Sequence, residues 1–243
     1  MKIAAAQIQS FKGDMDSNIE SHLKWTHKAA SKGADFIVFP ELSLTGYWLD
    51  IANELAVDYQ SSTLDVFQEV SDIEAIGIAV GMPTKSAKGV HIGMIIFLPN
   101  QPRQVYFKQL LHVDESPYFQ PGDHQLVFKM EEETIAPAIC YEALQKDHIH
   151  KASQLGIDLY MASVAKSQDS INKALRYFPK ASSSYQLPIL MSNSVGPCDD
   201  FMSVGQSGVW NTKGERIAYL NSDAEGLLLY NTKTKTVSTA NGF

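Results

Sequence analysis

The chain has 243 residues, 44% of them hydrophobic, which is ample for a sizeable core within one large domain. Its 27 acidic residues outnumber 20 basic ones for a net charge of −7, and no cluster of Lys and Arg is placed to track a phosphate backbone, which argues against a nucleic-acid partner. No stretch approaches the roughly 18 apolar residues of a membrane span, residues 1–8 lack the apolar run of a signal peptide, and Cys140 and Cys198 are too few for a disulfide framework, so the expectation is a cytoplasmic protein with reduced thiols and no membrane partner.

Short apolar runs alternate with helical patterns, an order that points to an α/β domain. Residues 3–8 read as a strand. Residues 17–31 read as a helix with a capping box in Ser17-Asn18-Ile19-Glu20, apolar positions at Ile19, Leu23 and Ala30, and Gly33 placed to end it. Residues 36–39 resume as a strand. Four further runs, 75–80, 91–98, 104–110 and 134–140, read as successive strands, several of them antiparallel neighbours. A helix over 144–155 ends at Gly156 and a strand follows over 157–164, repeating the helix, glycine, strand order seen around Gly33. Near the end, 208–210 and 216–220 flank the turn Asn211-Thr212-Lys213-Gly214. No linker or low-complexity segment interrupts the series, so residues 1–243 are expected to form a single domain.

Three residues carry chemistry, and each also admits an ordinary reading. Glu41 follows the apolar run Phe36-Ile37-Val38-Phe39-Pro40, where a proline ends the ladder. It is either a solvated turn residue or a desolvated carboxylate with a raised pKa, fit to take and return a proton. Lys108 lies within Tyr106-Phe107-Lys108-Gln109-Leu110-Leu111. It is either an edge-strand lysine that blocks aggregation or an ammonium facing a developing oxyanion in a dry pocket. Cys140 ends the run Thr134-Ile135-Ala136-Pro137-Ala138-Ile139-Cys140 at a strand-to-helix junction. It is either a small buried hydrophobe or a presented thiol with backbone amides nearby.

Taken together, Phe39-Pro40-Glu41-Leu42-Ser43-Leu44-Thr45-Gly46-Tyr47, then Lys108, then Ala138-Ile139-Cys140-Tyr141-Glu142 resembles the nitrilase superfamily of carbon-nitrogen hydrolases, in its short stand-alone amidase-like branch. The likeness extends to Ala5-Ala6-Gln7, Gly33-Ala34-Asp35, Met191-Ser192-Asn193 and Gly205-Gln206-Ser207-Gly208-Val209-Trp210. It implies a four-layer αββα sandwich, pairing into homodimers, and no metal or organic cofactor. It further implies that Cys140 attacks a carbonyl or nitrile carbon, that Glu41 carries the proton, and that Lys108 with the backbone amide of Tyr141 holds the oxyanion. Glu115, in Asp114-Glu115-Ser116-Pro117-Tyr118, matches the segment of the family's second glutamate, which positions the lysine and substrate; the ordinary alternative is a solvated loop carboxylate. Tyr47, Tyr118, Tyr141, Glu142, Ser163 and Val164 are expected to line the substrate pocket.

The chain departs from the family after the cysteine. Many members continue from an aromatic-acid pair to Arg-Phe-Pro-Glu, whereas here Tyr141-Glu142 is followed by Ala143-Leu144-Gln145-Lys146, with no arginine to clamp a carboxylate. That counts against carbamoyl amino acids. The expected substrate is a small amide, with nitrile hydrolysis by the same triad, or a catalytically silent scaffold, as alternatives. A metal hydrolase is disfavoured because His148 and His150, two apart on a helix, face different ways.

Overall fold

The computed structural model describes residues 1–242. In the first half, β1 (Lys2–Gln7), α1 (Met15–Ser31), β2 (Phe36–Val38), α2 (Ala52–Leu55), β3 (Val57–Asp58), α3 (Asp65–Glu74), β4 (Gly77–Ser86), β5 (Gly89–Phe97) and β6 (Gln104–Phe107) follow one another. β1, β2 and β4 are parallel neighbours, and β4, β5 and β6 form an antiparallel meander. Helix α1 begins two residues before the expected capping box. Asp14 is its N-cap, with Oδ1 accepting from the Ser17 amide at 3.1 Å and Oδ2 from the Ser17 hydroxyl at 2.8 Å. Likewise β4 continues through Gly81 and Pro83 to a tight turn, because its register with β5 is unbroken from Ile78 to Ser86.

The second half supplies β7 (Phe128–Met130), β8 (Glu133–Ile139), α4 (Lys146–Ser153), β9 (Leu159–Val164), α5 (Gln168–Tyr185), β10 (Ile189–Asn193), β11 (Val195–Cys198), β12 (Phe201–Val204), β13 (Gly208–Trp210), β14 (Arg216–Tyr219), β15 (Gly226–Asn231) and β16 (Val237–Asn241). Strands β7 to β10, β13 and β14 make a second sheet in the order β14-β13-β10-β9-β8-β7. β15 and β16 return to the first sheet, where β15 pairs with β1 along its whole length. The pairs β11-β12 and β15-β16 have no counterpart among the expected strands.

Alternation along each strand makes the layers. Ile3, Ala5, Phe36, Val38 and Ala79 of the first sheet meet Ile135, Ile139, Leu159, Met161 and Leu190 of the second in a central core. The intervening residues Ala4, Ala6, Ile37, Ile78 and Val80 face Trp25 and Ala29 of α1 and Phe67 of α3. On the far side Ala136, Ala138, Tyr160 and Ala162 face Ile149 of α4 and Ile171, Ala174 and Phe178 of α5. The result is the four-layer αββα sandwich, and the exits of β2, β6, β8 and β9 meet at one end of it.

Beneath α1, His22 is fully buried, its ring nitrogens meeting the Asn18 carbonyl at 2.6 Å and the Ser43 hydroxyl at 2.8 Å. Burial lowers its pKa to about 4, from 6.5, with the Asn18 contact pulling the other way. The unfolded chain therefore binds a proton that the folded chain refuses, and stability present above pH 6.5 is lost as pH falls toward 4. The loss amounts to on the order of 3 kcal/mol at its limit. We expect His22→Gln to flatten the dependence of stability on pH between 6.5 and 4 in denaturant titrations; an unchanged slope would assign the acid sensitivity elsewhere.

Candidate active site

Glu41 sits where β2 stops. The Phe39 amide still reaches the Ala79 carbonyl at 2.9 Å, but Pro40 has no N–H to continue the ladder, and the chain turns with Leu42 in the left-handed region at φ 52°. This turn presses onto β4 at Gly81, where a Cβ would lie 2.5 Å from the Leu42 nitrogen and 2.7 Å from the Pro40 carbonyl. Only glycine admits that approach. From the second sheet, the Ser163 hydroxyl donates to the Phe39 carbonyl at 2.8 Å and ties the turn across the core. The Glu41 side chain consequently has no exposed area, which removes the solvated-turn reading.

Lys108 follows β6, its amide donating to Ile92 and its carbonyl accepting from Gly122 at 2.8 Å. Its side chain is also fully buried, which an edge-strand lysine facing solvent would not be. Nζ donates to Glu41 Oε1 at 2.7 Å and to Glu115 Oε1 at 2.6 Å. Glu115 is 1% exposed and no solvated loop residue: Oε1 also accepts from the Tyr47 hydroxyl at 2.8 Å, and Oε2 from the His112 amide at 2.8 Å. Two of the three ammonium protons are thereby committed and one remains for another acceptor.

Cys140 closes β8 with φ 44°, a left-handed conformation that turns a non-glycine residue sharply at the strand exit. The residue is half-buried and its thiol is free; Sγ donates to the Ala165 carbonyl at 3.5 Å. Glu41 Oε2 is buried without a conventional hydrogen-bond partner, and the Cys140 thiol is among the groups that act on this carboxylate.

Burial is the dominant influence on the cluster. It raises the Glu41 pKa, with Lys108 opposing and Glu115 assisting. It would lower that of Lys108, but the two carboxylates outweigh it, and the net shift is upward, so the ammonium keeps its proton. The Cys140 thiol is pushed up to about 11 by burial and by Glu41, against the pull of Lys166 and Lys108. The resting site therefore holds a protonated lysine, a neutral thiol and a carboxylate made more basic than usual.

A cavity of about 540 Å³ opens onto Cys140, lined also by Tyr47, Glu115, Tyr141, Lys166 and Phe201. That volume suits a small ligand. Glu41 and Lys108 do not form its wall; Lys108 lies one hydrogen bond deeper, behind Glu115.

Of the residues expected to line this cavity, Tyr47 and Tyr141 do so and four do not. Tyr118 sits in the turn after Glu115, with its side chain partly in solvent. Val164 is buried in the helix-facing core of the second sheet. Ser163 is committed to Phe39. Glu142 is fully buried behind the site and accepts four hydrogen bonds, from the Tyr106 hydroxyl, the Ile139 amide and the Gln109 and Leu110 amides, at 2.7 to 3.2 Å. It thereby ties the Cys140 turn to the segment that follows Lys108, a positioning task. The sequence reading also missed Lys166, whose Nζ lies 3.5 Å from Cys140 Sγ. It stands two residues past β9, at the kind of strand exit that singled out Glu41 and Cys140. Among the described residues no group of three His, Cys, Asp or Glu is placed to hold a metal ion, and no helix is long and apolar enough to cross a membrane.

The family model described as carbon-nitrogen hydrolase matches residues 2–241. Among curated proteins, the chain is similar to glutamine-dependent NAD(+) synthetases, 24% identical over 88% of its length to that of Acinetobacter baylyi and 25% over 90% to that of Thermotoga maritima. It spans about two-fifths of the length of these relatives, 41% and 40%. Among solved structures, an amidase from Nesterenkonia sp. AN1 superposes with a TM-score of 0.86 at 19% identity, over 95% of this chain and 92% of that one. Other structures of that amidase show covalent addition of the acetamide moiety of fluoroacetamide at its active site cysteine and a complex with butyramide. The synthetase of Acinetobacter baumannii superposes with a TM-score of 0.81 at 23% identity, over 100% of this chain and 48% of that one.

Proposed function

We propose that this chain, which belongs to the carbon-nitrogen hydrolase family, is an amidase that releases ammonia or an amine from a small amide through a thioester on Cys140. The observation that carries the reading is the convergence of Glu41, Lys108, Glu115 and Cys140 beside one cavity, the first three of them at most 2% exposed. Cys140 Sγ attacks the amide carbon, the C=O electron pair moves onto oxygen, and the thiol proton passes to Glu41. The uncommitted Lys108 proton and the Tyr141 backbone amide meet the oxyanion. Glu41 then hands its proton to the nitrogen, the C–N bond breaks, and the amine leaves. Water attacks the thioester as Glu41 takes its proton, the C–S bond breaks, and the proton returns to sulfur.

Small amides are favoured by the cavity volume and by the acetamide and butyramide chemistry seen with the structurally similar amidase. A homodimer belongs to the same reading, on the resemblance alone. A second reading takes glutamine as the amide and a synthetase as the recipient of the ammonia, and similarity to the NAD(+) synthetases favours it. An ammonia-release screen over short aliphatic amides, nitriles, carbamoyl compounds and glutamine, with intact-mass detection of an acyl adduct, tests both. We expect an adduct on Cys140 with an amide. Turnover without dependence on Cys140 would refute the reading, and glutamine alone being turned over would select the second.

A further inference from the structure

We propose that Lys166 is a further catalytic residue of this centre, its ammonium stabilising negative charge on Cys140 Sγ whenever the thiol proton resides on Glu41. The inference rests on the thioester reading above and adds a group that reading does not use. Lys166 is 2% exposed, yet it forms no ion pair with a carboxylate among the described residues. The contacts of its Nζ are Cys140 Sγ and the Cys140 carbonyl, each at 3.5 Å. A buried ammonium without an acidic partner is costly, so its placement against one sulfur calls for a compensating role.

The backbone fixes that placement. The Lys166 amide donates to Asn193 Oδ1 at 2.9 Å and to the Ser203 hydroxyl at 3.2 Å, and its carbonyl accepts from the Val204 amide at 3.1 Å and the Ser203 hydroxyl at 3.2 Å. Asn193 and Ser203 are themselves buried and bonded to one another. The lysine thus rises from a rigid knot between β9, β10 and β12 rather than from a mobile loop.

Charge balance gives the reason. With the thiol proton on Glu41, Glu115 and Lys108 offset one another, so the cluster behind Cys140 is neutral overall and leaves the charge on Sγ without a counterion of its own. Lys166, with Nζ 3.5 Å from the sulfur, supplies that counterion at a distance where partly buried charges interact strongly. Consistent with this, Lys166 is the larger of the two cationic influences favouring ionisation of Cys140.

The test reads the thiol directly. Alkylation of Cys140 by iodoacetamide is followed by peptide mass as a function of pH in the parent chain and in the Lys166→Gln, Lys166→Met and Lys166→Arg variants. Gln keeps a donor for the Cys140 carbonyl but carries no charge. We expect Gln and Met each to slow alkylation at fixed pH by about tenfold, the equivalent of one pKa unit, and Arg to stay within about threefold. Buried Cys198 serves as the internal check of folding, since a loosened core would expose it. Alkylation of Lys166→Gln within twofold of the parent would overturn the proposal, as would loss of the fold in both neutral variants, which would assign Lys166 to the knot alone. Iodoacetate reacting faster than iodoacetamide in the parent, and losing that advantage in Lys166→Gln while iodoacetamide is unaffected, would instead make Lys166 an anchor for anionic substrates. Because the assay needs no turnover, it remains decisive even if the amidase reading fails.

Discussion

Cys140→Ala should cut ammonia release by several orders of magnitude while the protein melts within a few degrees of the parent. Sγ is the thiol that opens onto the 540 Å³ cavity, whereas Cys198 is buried away from it, so no other sulfur can take over the attack. Removing a nucleophile from a centre that works as a unit costs about 10⁴–10⁶-fold in rate. The fold should tolerate the change. Cys140 is only half-buried, its sulfur makes long contacts to Ala165 and Lys166, and alanine meets the same backbone restriction at φ 44° that cysteine already does. The measurement is ammonia release by mass-verified variant over amides that the parent turns over. Residual activity above ~1% of the parent, well short of the loss expected for a nucleophile, would remove Cys140 from that role.

The parts of this site that were legible in the sequence are those marked by a local contradiction. A carboxylate after a run of five apolar residues, a lysine within an apolar strand and a cysteine at a strand-to-helix junction each break the pattern around them, and the structure brings all three to one end of the sandwich. The near-continuous apolar runs that became β1, β2, β8 and β9 likewise suit strands covered on both faces. What stayed hidden depends on contacts between distant segments. Glu142 reads as a pocket residue beside Cys140, and only the packing of the 108–110 segment against the Cys140 turn shows that four donors hold it behind the site. Lys166 carries no local signal beyond its strand exit, because its meaning comes from Cys140, 26 positions away. The return of β15 to pair with β1 could not be read from residues 226–231 alone, since a short run of leucines does not name its partner.

Lys108→Met should lower kcat/KM by at least about two orders of magnitude and also destabilise the fold, and the two effects should be separable. With the ammonium gone, Glu41 and Glu115 would be two buried carboxylates with no countercharge, a loss on the order of 3–5 kcal/mol. Adding Glu115→Gln removes one of the charges; its single carbonyl oxygen can still accept from the His112 amide, while its NH2 donates to the Tyr47 hydroxyl, which can accept as well as donate. The double variant should therefore regain most of the stability and none of the rate. The residual activity of Lys108→Met alone should carry a second signature. Lys108 holds the Glu41 pKa down against burial, and Glu41 must be ionised to accept the thiol proton. Without the lysine the acidic limb of the pH-rate profile should move to higher pH. A double variant that recovers both stability and rate would make Lys108 a structural counterion. A limb that does not move in the single variant would show that Glu41 titrates independently of Lys108, contrary to the short contact between them.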